Sequence, residues 1–171
     1  PAEQAFEKAL AIATRTDDHS IELVTLSNWC FVEYRELRYE SAYKKACRVI
    51  ELARGMSDQY FSARGHYQAS AQADFLGLGD ACLDHRKLAL EAAEKLRDRH
   101  MLRMTLEAQG RSCYKLGEHA KAHELHARAK ILLADHSSAF QIFYEYQGGH
   151  YDEGQILLNE ILRRYRETNS S

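Results

Sequence analysis

A stripe of small and apolar residues recurs along the chain with the spacing of one side of an α-helix. Over 39–55 the stripe consists of Ala42, Ala46, Val49 and Ala53, which follow one another at intervals of four, three and four positions. Residues at these intervals lie one above another on the same side of a helix. Because their side chains are small, a second helix can approach this side closely. The pattern therefore predicts a helix over 39–55 that packs through the stripe.

The stripe belongs to an internal repeat with a period of forty residues. An offset of this length keeps small or apolar residues in register three or four times along the chain. The aligned sets are Ala2, Ala42, Cys82 and Ala122, then Ala9, Val49, Ala89 and Ala129, and then Ala13, Ala53, Ala93 and Leu133. A further set of small residues with the same offset is Cys30, Ser70 and Gly110. Each period is therefore predicted to contain two helices that pack through small residues where they cross.

Residues typical of turns separate the predicted helices. Asp18, Asp58 and Asp98 share the offset of forty, and each precedes a helical stretch. An aspartate at such a place can accept hydrogen bonds from the N–H groups of the first helical turn. The glycines expected at the turns inside the helix pairs, where positive φ is common, are Gly77, Gly79 and Gly117.

These signals predict a leading helix followed by helix pairs. The leading helix covers about 2–16, and the pairs are 19–36 with 39–55, 59–77 with 81–97, 99–116 with 118–134, and 138–147 with 151–167, the last turning through Gly148 and Gly149. The chain is thus predicted to be a single solenoid over 1–171, with a leading half-repeat at 1–17 and repeats at about 18–57, 58–97, 98–136 and 137–171.

The beginning of the chain falls within a repeat. Ala2 has the register of Ala42 and Ala122, so the first helix corresponds to the second helix of a pair. A solenoid exposes apolar surface where it is cut without a cap. We therefore expect either a fragment of a larger protein or docking of residues 2–16 against another copy of the chain.

Composition favours an all-α protein in the cytoplasm. The only proline among the 171 residues is Pro1, and Ala, Leu, Glu, Lys and Arg are good helix formers. The net charge of −2 gives no basic excess for direct contact with nucleic acid, and no apolar run is long enough to span a membrane. The cysteines are widely spaced, without a C-x-x-C pair, and are expected to be reduced thiols: Cys30, Cys47, Cys82 and Cys113.

Motifs of catalysis and of cofactor binding are absent from the sequence. There is no G-x-S-x-G, no P-loop and no H-E-x-x-H, and the acidic residues are scattered as on the surface of a helical protein. We therefore expect no enzymatic activity, no resident cofactor and no metal.

The third period resembles the tetratricopeptide repeat. The resemblance rests on Leu106, Gly110, the run 116–119 (Leu-Gly-Glu-His), Ala122 and Ala129, and it is strongest over 103–136. The sequence departs from that repeat by lacking its closing proline and by its period of forty residues, where 34 is commonest. The longer period implies longer helices or longer turns.

The segments 6–18 and 89–133 point to particular members of the tetratricopeptide class. They are similar to the tetratricopeptide regions of MalT-like and LuxR-type bacterial regulators and of multidomain cyclases, and to the long-period repeats of eukaryotic scaffolds such as the LGN family. The resemblance implies a right-handed superhelix of antiparallel helix pairs, with about four repeats. It also implies an interaction or sensor module of a signalling or transcriptional regulator, which binds a peptide or a partner domain on its concave surface.

Ligand-contacting positions of the tetratricopeptide family lie on the first helix of each pair. In the register of Gly110, the resemblance places them at Ser27, Asn28, Phe31, Tyr34 and Arg35, at Arg64, Tyr67, Gln68, Asp74 and Phe75, and at Glu107, Arg111, Tyr114 and Lys115. Aromatic rings beside Arg and amide groups suit a bound peptide or helix. The alternative is a solvated face with its aromatic residues packed between repeats.

The family's carboxylate clamp for chaperone C-termini is not expected here. That clamp requires Lys, Asn and Arg side chains on the first helices. The matching positions carry Ser27, Phe31, Gln68, Met104 and Ala108 instead. An adaptor for chaperones is therefore not predicted.

Two further functions stay open at this point. The chain could be an oligomerisation scaffold whose open repeat ends stack on one another. It could also hold a metal through His119, His123 and His126, although an i, i+4, i+7 row spreads the outer rings over about 10 Å of helix axis. We expect His119 and His126 to pack at a helix junction and His123 to face solvent.

Overall fold

Helices account for all regular structure in the described part of the protein. The computed structural model describes residues 2–132, 142, 145–146, 149 and 151–168. Its long helices are α1 (Ala2–Thr16), α2 (His19–Arg35), α3 (Tyr39–Gly55), α4 (Gln59–Phe75), α5 (Gly79–Leu96), α6 (Arg99–Lys115), α7 (His119–Leu132) and α8 (Tyr151–Thr168). The predicted all-α class is confirmed. The predicted helix at 138–147, like Leu133 and Gly148, falls wholly or largely outside the described residues.

Turns with one left-handed residue each recur at an interval of twenty. The residues with positive φ at these turns are Asp17, Leu37, Ser57, Gly77, Arg97 and Gly117. A backbone bond closes the helix end at such turns, as from the Arg38 N–H to the Glu33 carbonyl at 2.9 Å. The period of forty is therefore two units of twenty, each a helix of about seventeen residues and a short turn. The long period thus comes from long helices.

Two of the three glycines that the sequence suggested for the turns have positive φ. Gly77 and Gly117 have φ of +71° and +79°, as expected. Gly79 does not: it is the first residue of α5. Leu37 adopts the same left-handed conformation without being glycine, since the position in the unit of twenty residues and not the residue type determines where each turn falls.

Aspartates cap the first helix of each pair, as predicted. Asp18 Oδ1 accepts from the N–H groups of Ser20 and Ile21 at 2.9 and 3.0 Å. The corresponding bonds run from Phe61 N–H to Asp58 at 2.9 Å and from Met101 N–H to Asp98 at 3.0 Å. Each cap is worth about 1 kcal/mol. They define where α2, α4 and α6 begin.

The helices form two layers. Each of α1 to α6 packs against the next helix, and short turns make these neighbours antiparallel. In addition α2 contacts α4 and α4 contacts α6, whereas no comparable contact joins α3 to α5 or α5 to α7 in the described part of the chain. Helices on the inside of a curved array lie closer together. This places α2, α4 and α6 on the concave side.

Small residues form the core where paired helices cross. Ala42, Ala46 and Val49 are fully buried and Ala53 is 1% exposed, so the stripe that opened the sequence analysis is confirmed as a packing face. The equivalent positions Cys82, Ala89 and Ala93 on α5, and Ala122 and Ala129 on α7, are also buried. The approach is close enough that a Cβ on Gly65 would lie 2.9 Å from Ile50 Cγ1.

Residue sizes compensate across the crossing points. Cys30 faces a small residue, Ala46, in one buried cluster. Forty residues on, the same two positions are Ser70 and Arg86, and in the third period they are Gly110 and His126. A Cβ on Gly110 would lie 2.6 Å from His126 Nε2. The absence of a side chain at 110 therefore provides the space that the imidazole ring occupies.

A pair of half-buried histidines joins α4 to α5. His66 Nδ1 and His85 Nδ1 are 2.9 Å apart, and Tyr43 Oη lies 3.3 Å from His85 Nε2. One Nδ1 must donate and the other accept, which neutral rings can do. Burial, with a smaller contribution from the charge of His85, lowers the pKa of His66 to about 4, and burial also lowers the pKa of His85.

We predict that Gly110→Ala destabilises the protein by about 1–3 kcal/mol, because the new methyl group overlaps the His126 ring. Gly55→Ala is the matched control, since nothing lies within 4 Å of a Cβ there; it should be neutral or stabilising by up to about 1 kcal/mol. Urea unfolding measures both. In a His126→Ala background the loss caused by Gly110→Ala should largely disappear; an unchanged loss would contradict the overlap.

We also predict that stability falls as the pH is lowered from 6.5 towards about 4. The folded-state pKa of His66 lies below its ordinary value of 6.5, so the unfolded chain takes up the proton first. Stability is complete above pH 6.5 and is lost as the pH falls to the folded value. His66→Gln should make the urea midpoint less dependent on pH over this range, whereas His100→Gln, at an exposed position, should not. Equal pH dependence in both variants would disprove the assignment.

Candidate functional site

A groove opens on the inner layer, between α2, α4 and α6. It encloses about 460 Å³. Its lining residues are Phe31, Tyr34, Tyr60, Arg64, Tyr67, Gln68, Ala71, Gln72, His100, Met101, Met104 and Arg111. Four of them are aromatic rings, two are methionines and two are arginines, and none is acidic. The groove is thus apolar with a positive charge along part of its wall.

Six of the fourteen positions predicted from the repeat register line this groove. They are Phe31, Tyr34, Arg64, Tyr67, Gln68 and Arg111. They come from three helices separated by forty residues in sequence, and the layered packing brings them to one surface. Their contact with a ligand stays a prediction.

The other predicted positions lie at the margin of the groove or outside it. Asn28 is exposed, and its Oδ1 accepts a hydrogen bond from Arg64 Nη2 at 3.0 Å. Arg35 is exposed on α2 and is not among the lining residues. Glu107 forms an ion pair with Arg103 on its own helix, at 2.6 Å. The Tyr114 ring packs against the buried cluster of α6 and α7.

Asp74 and Lys115 belong to an ionic network instead. Asp74 Oδ2 lies 2.9 Å from Arg86 Nη2 and 2.8 Å from Lys115 Nζ, and Arg86 also donates to the hydroxyl of Ser112. Burial opposes ionisation of Asp74, but the hydrogen bonds from Lys115 and Arg86 and their charges hold its pKa below the usual value. These residues line a separate hollow of about 210 Å³. They connect α4, α5 and α6.

Sequence reasoning missed the remaining lining residues. They are Tyr60, Ala71, Gln72, His100, Met101 and Met104. A signal for several of them was present in the repeat. An offset of forty from Phe31 gives Ala71 and then Arg111, and the same offset from Arg64 gives Met104. The family positions named only some members of these aligned sets.

Gln68 forms part of the floor of the groove. It is 7% exposed, and its Nε2 donates to the Ser27 carbonyl at 2.8 Å. The Ser27 hydroxyl, fully buried, donates in return to Gln68 Oε1 at 3.3 Å. Both ends of the amide are therefore occupied by α2, and Gln68 holds α4 at a defined distance from α2.

Gln72 has an unused acceptor in the same floor. The residue is 2% exposed, and its Nε2 donates to Cys30 Sγ at 3.5 Å. Its Oε1 is buried and accepts no hydrogen bond from the described residues. A buried acceptor without a donor costs about 1–3 kcal/mol. A ligand with an N–H group at this position would remove that cost.

Aromatic contacts hold one wall of the groove in place. Phe75 stacks on Tyr39 with ring centroids 4.4 Å apart and planes at 4°. Tyr34 meets the same Phe75 edge to face at 5.8 Å. Phe75, which was a predicted contact position, therefore supports Tyr34 from behind and is not among the lining residues. Phe31, by contrast, is 53% exposed and open to a ligand.

The three histidines of the row are not grouped around one point in the described part of the chain. His126 packs against α6 at Gly110, as expected. His119 also lies at the junction of α6 and α7, since its ring meets that of Tyr114 edge to face at 4.7 Å, although the residue is exposed; His123 is partly exposed. Among the residues that the structure describes, no group of three or more His, Cys, Asp or Glu is placed to bind a metal ion.

The four cysteines are free thiols, three of them buried. Burial, followed by the nearby charge of Glu33, raises the pKa of Cys30 to about 12. Burial also raises the pKa values of Cys47, Cys82 and Cys113. Protonated thiols are weak nucleophiles.

Comparisons with known proteins do not assign the chain to a family. No model of a known family matches the sequence. A search of curated proteins finds no match either. Across the described ranges, none of the helices has the length and apolar character needed to cross a membrane. The functional inference therefore depends on the groove itself.

We predict that Gln68→Leu destabilises the protein by about 1–3 kcal/mol, because it leaves the buried Ser27 hydroxyl without its acceptor and removes the hydrogen bond from Gln68 to the Ser27 carbonyl. Gln59→Leu is the matched control at an exposed position on the same helix and should change stability by less than about 0.5 kcal/mol. Urea unfolding distinguishes the two variants. Equal effects would mean that the Ser27–Gln68 pair does not connect α2 to α4.

Proposed function

We propose that this protein is a non-catalytic interaction module that binds a peptide, or an extended segment of a partner protein, in the groove between α2, α4 and α6. One observation carries the proposal: Phe31, Tyr34, Tyr60 and Tyr67 converge with two methionines and two arginines in one groove. Aromatic residues, Met and Arg are the types enriched at protein interfaces. Tyr and Arg are also frequent among the residues that dominate binding energy.

The construction of the groove supports a binding role. Gln68 and Ser27 tie α4 to α2 below it, and Phe75 supports Tyr34 at its wall. A surface held in this way loses little conformational entropy when a ligand binds. Met101 and Met104, which are flexible and polarizable, can adapt to different apolar side chains.

The thiols and two acidic residues near the inner layer have properties unlike those of catalytic groups. The thiols have raised pKa values, and the acidic residues near the inner layer, Asp74 and Glu107, are held in ion pairs. A group poised to accept a proton or attack a substrate would need the opposite properties. This supports a module that binds without catalysing a reaction.

The proposal extends to the tetratricopeptide class and to a cytoplasmic regulator. Antiparallel pairs of long helices, small residues at their crossings and an aromatic inner layer support the first assignment. Free cysteines support a reducing compartment. In a signalling or transcriptional regulator, a ligand that binds one curvature of the array better than another would shift its contacts with a neighbouring domain.

Selection from a random peptide library on the purified protein tests the groove. Enriched peptides are then measured by fluorescence anisotropy against Tyr67→Ala and Phe31→Ala. We expect each substitution to weaken binding at least about tenfold, since truncation of a central aromatic residue commonly costs 2 kcal/mol or more. Melting temperatures establish that the variants stay folded.

Leu88→Ala is the control for this experiment. Leu88 is 43% exposed on α5, in the outer layer, so its truncation should leave peptide affinity unchanged. Failure to enrich any peptide, or peptides that bind the groove variants as well as the original chain, would refute the proposal. Sedimentation of the same samples tests self-association: a dimer that dissociates in the Tyr67→Ala variant would make a second copy of the chain the occupant.

A further inference from the structure

We infer that the groove selects acidic peptide segments that carry an apolar anchor side chain, an inference that rests on the proposed peptide-binding function. Arg64 would bind a carboxylate of the peptide, the buried Gln72 Oε1 would accept a backbone N–H, and the aromatic and methionine wall would receive the anchor. The Arg64 guanidinium without a carboxylate partner and the unused acceptor of Gln72 are independent observations. The first favours an acidic ligand, and the second favours a ligand with an N–H donor.

Carboxylates near the inner layer are neutralised within the protein. Asp74 is paired with both Arg86 and Lys115, at 2.9 and 2.8 Å. Glu107 is paired with Arg103 at 2.6 Å. None of these groups is available to a cationic ligand without breaking an existing pair. The groove itself contains no acidic lining residue.

Arg64 lacks an anionic partner within the described ranges. The guanidinium donates through Nη2 to the neutral Asn28 amide at 3.0 Å and lies 5.9 Å from the Phe61 ring centroid. No carboxylate of the described residues forms an ion pair with it. A guanidinium has five N–H donors in a planar fork that matches a carboxylate. An acidic side chain in the groove would complete a pair that the fold leaves open.

Gln72 adds the requirement that the ligand carry a hydrogen-bond donor, which charge complementarity alone would not impose. Its Oε1 is buried at the floor of the groove and accepts no hydrogen bond from any described residue, while its Nε2 donates to Cys30 Sγ. Ligands that consist only of an anion cannot satisfy this acceptor. A peptide backbone can, because each residue other than proline carries an N–H. The acceptor therefore favours a peptide over a free anion.

The apolar character of the anchor side chain is inferred from the apolar residues that line the groove. Tyr34, Tyr67, Met101 and Met104 present apolar surface around the same volume of about 460 Å³. Burial of a large apolar side chain contributes about 1.5–3 kcal/mol, and a polar one would lose its hydration there. A leucine, phenylalanine or tryptophan between acidic residues meets all three conditions.

A small matrix of labelled peptides tests the inference directly. Each peptide has a central Leu, Trp or Ser flanked on both sides by Glu, Ser or Lys, and binding is measured by fluorescence anisotropy at low and at physiological salt. We expect Glu-flanked Leu or Trp peptides to bind at least about tenfold more tightly than Lys-flanked ones, which is the size of effect typical of one charge-assisted hydrogen bond. Added salt should reduce the difference.

Arg64→Glu should reverse the charge preference, so that Lys-flanked peptides bind more tightly than Glu-flanked ones. Lys87→Glu changes the net charge equally, at an exposed position on α5, and should leave the ranking unchanged. Gln72→Leu should weaken the Glu-flanked peptides about fivefold, the equivalent of one neutral hydrogen bond, without lowering the melting temperature. The thermal measurement separates loss of a ligand contact from loss of folding.

The outcomes distinguish this inference from the proposed function. If peptides of every flanking charge bind equally, and Tyr67→Ala weakens all of them, the groove binds peptides but the acidic preference is wrong. If Arg64→Glu does not alter the ranking, or if Glu-flanked peptides bind no better than Ser-flanked ones, the inference is also wrong. If no peptide depends on Tyr67, both the inference and the proposed function fail.

Discussion

The close approach of paired helices through small residues is the constraint on which the rest of the structure depends. Ala42, Ala46 and Val49 are fully buried although two of them carry only a methyl group. Such a thin interface leaves little room for large side chains, and the His126 ring fits because Gly110 beneath it has no side chain. Dispersion contacts in a close-packed interface depend steeply on distance. Each helix pair is therefore held at a narrow separation along its whole length.

The inner groove is a consequence of that separation. Four aromatic residues, Phe31 and Tyr34 on α2 and Tyr60 and Tyr67 on α4, lie on the side of the array where α2, α4 and α6 meet. Because those three helices also contact one another, rings separated by forty residues in sequence line one volume. Polar contacts such as Gln68 with Ser27 then fix the spacing between successive pairs. The close packing of the helices therefore both stabilises the protein and determines the shape of the groove.

Particular residues show how far prediction from sequence extends. The aspartate caps, the buried stripe and the helix ends at Gly77 and Gly117 were predictable, because each depends on a few residues close in sequence. Six groove residues followed from the repeat register, while Met104 and Ala71 were missed although the same register contains them. Asp74 and Lys115 were predicted for the ligand surface, but Asp74 forms ion pairs with both Lys115 and Arg86. Their register was correct, and their partners could not be read from it.

The all-α class, the approximate bounds of the described helices and the small-residue packing stripe were predictable from the sequence alone. These properties depend on local hydrogen bonding and on the periodicity of side chains along one helix. Only the tertiary structure decided which charges are neutralised and which polar atoms remain unused, since this depends on the rotation and spacing of helices far apart in sequence. Arg64 meets Asn28 across 36 residues and Lys115 meets Asp74 across 41, and differences of a few ångströms decide whether such a pair forms.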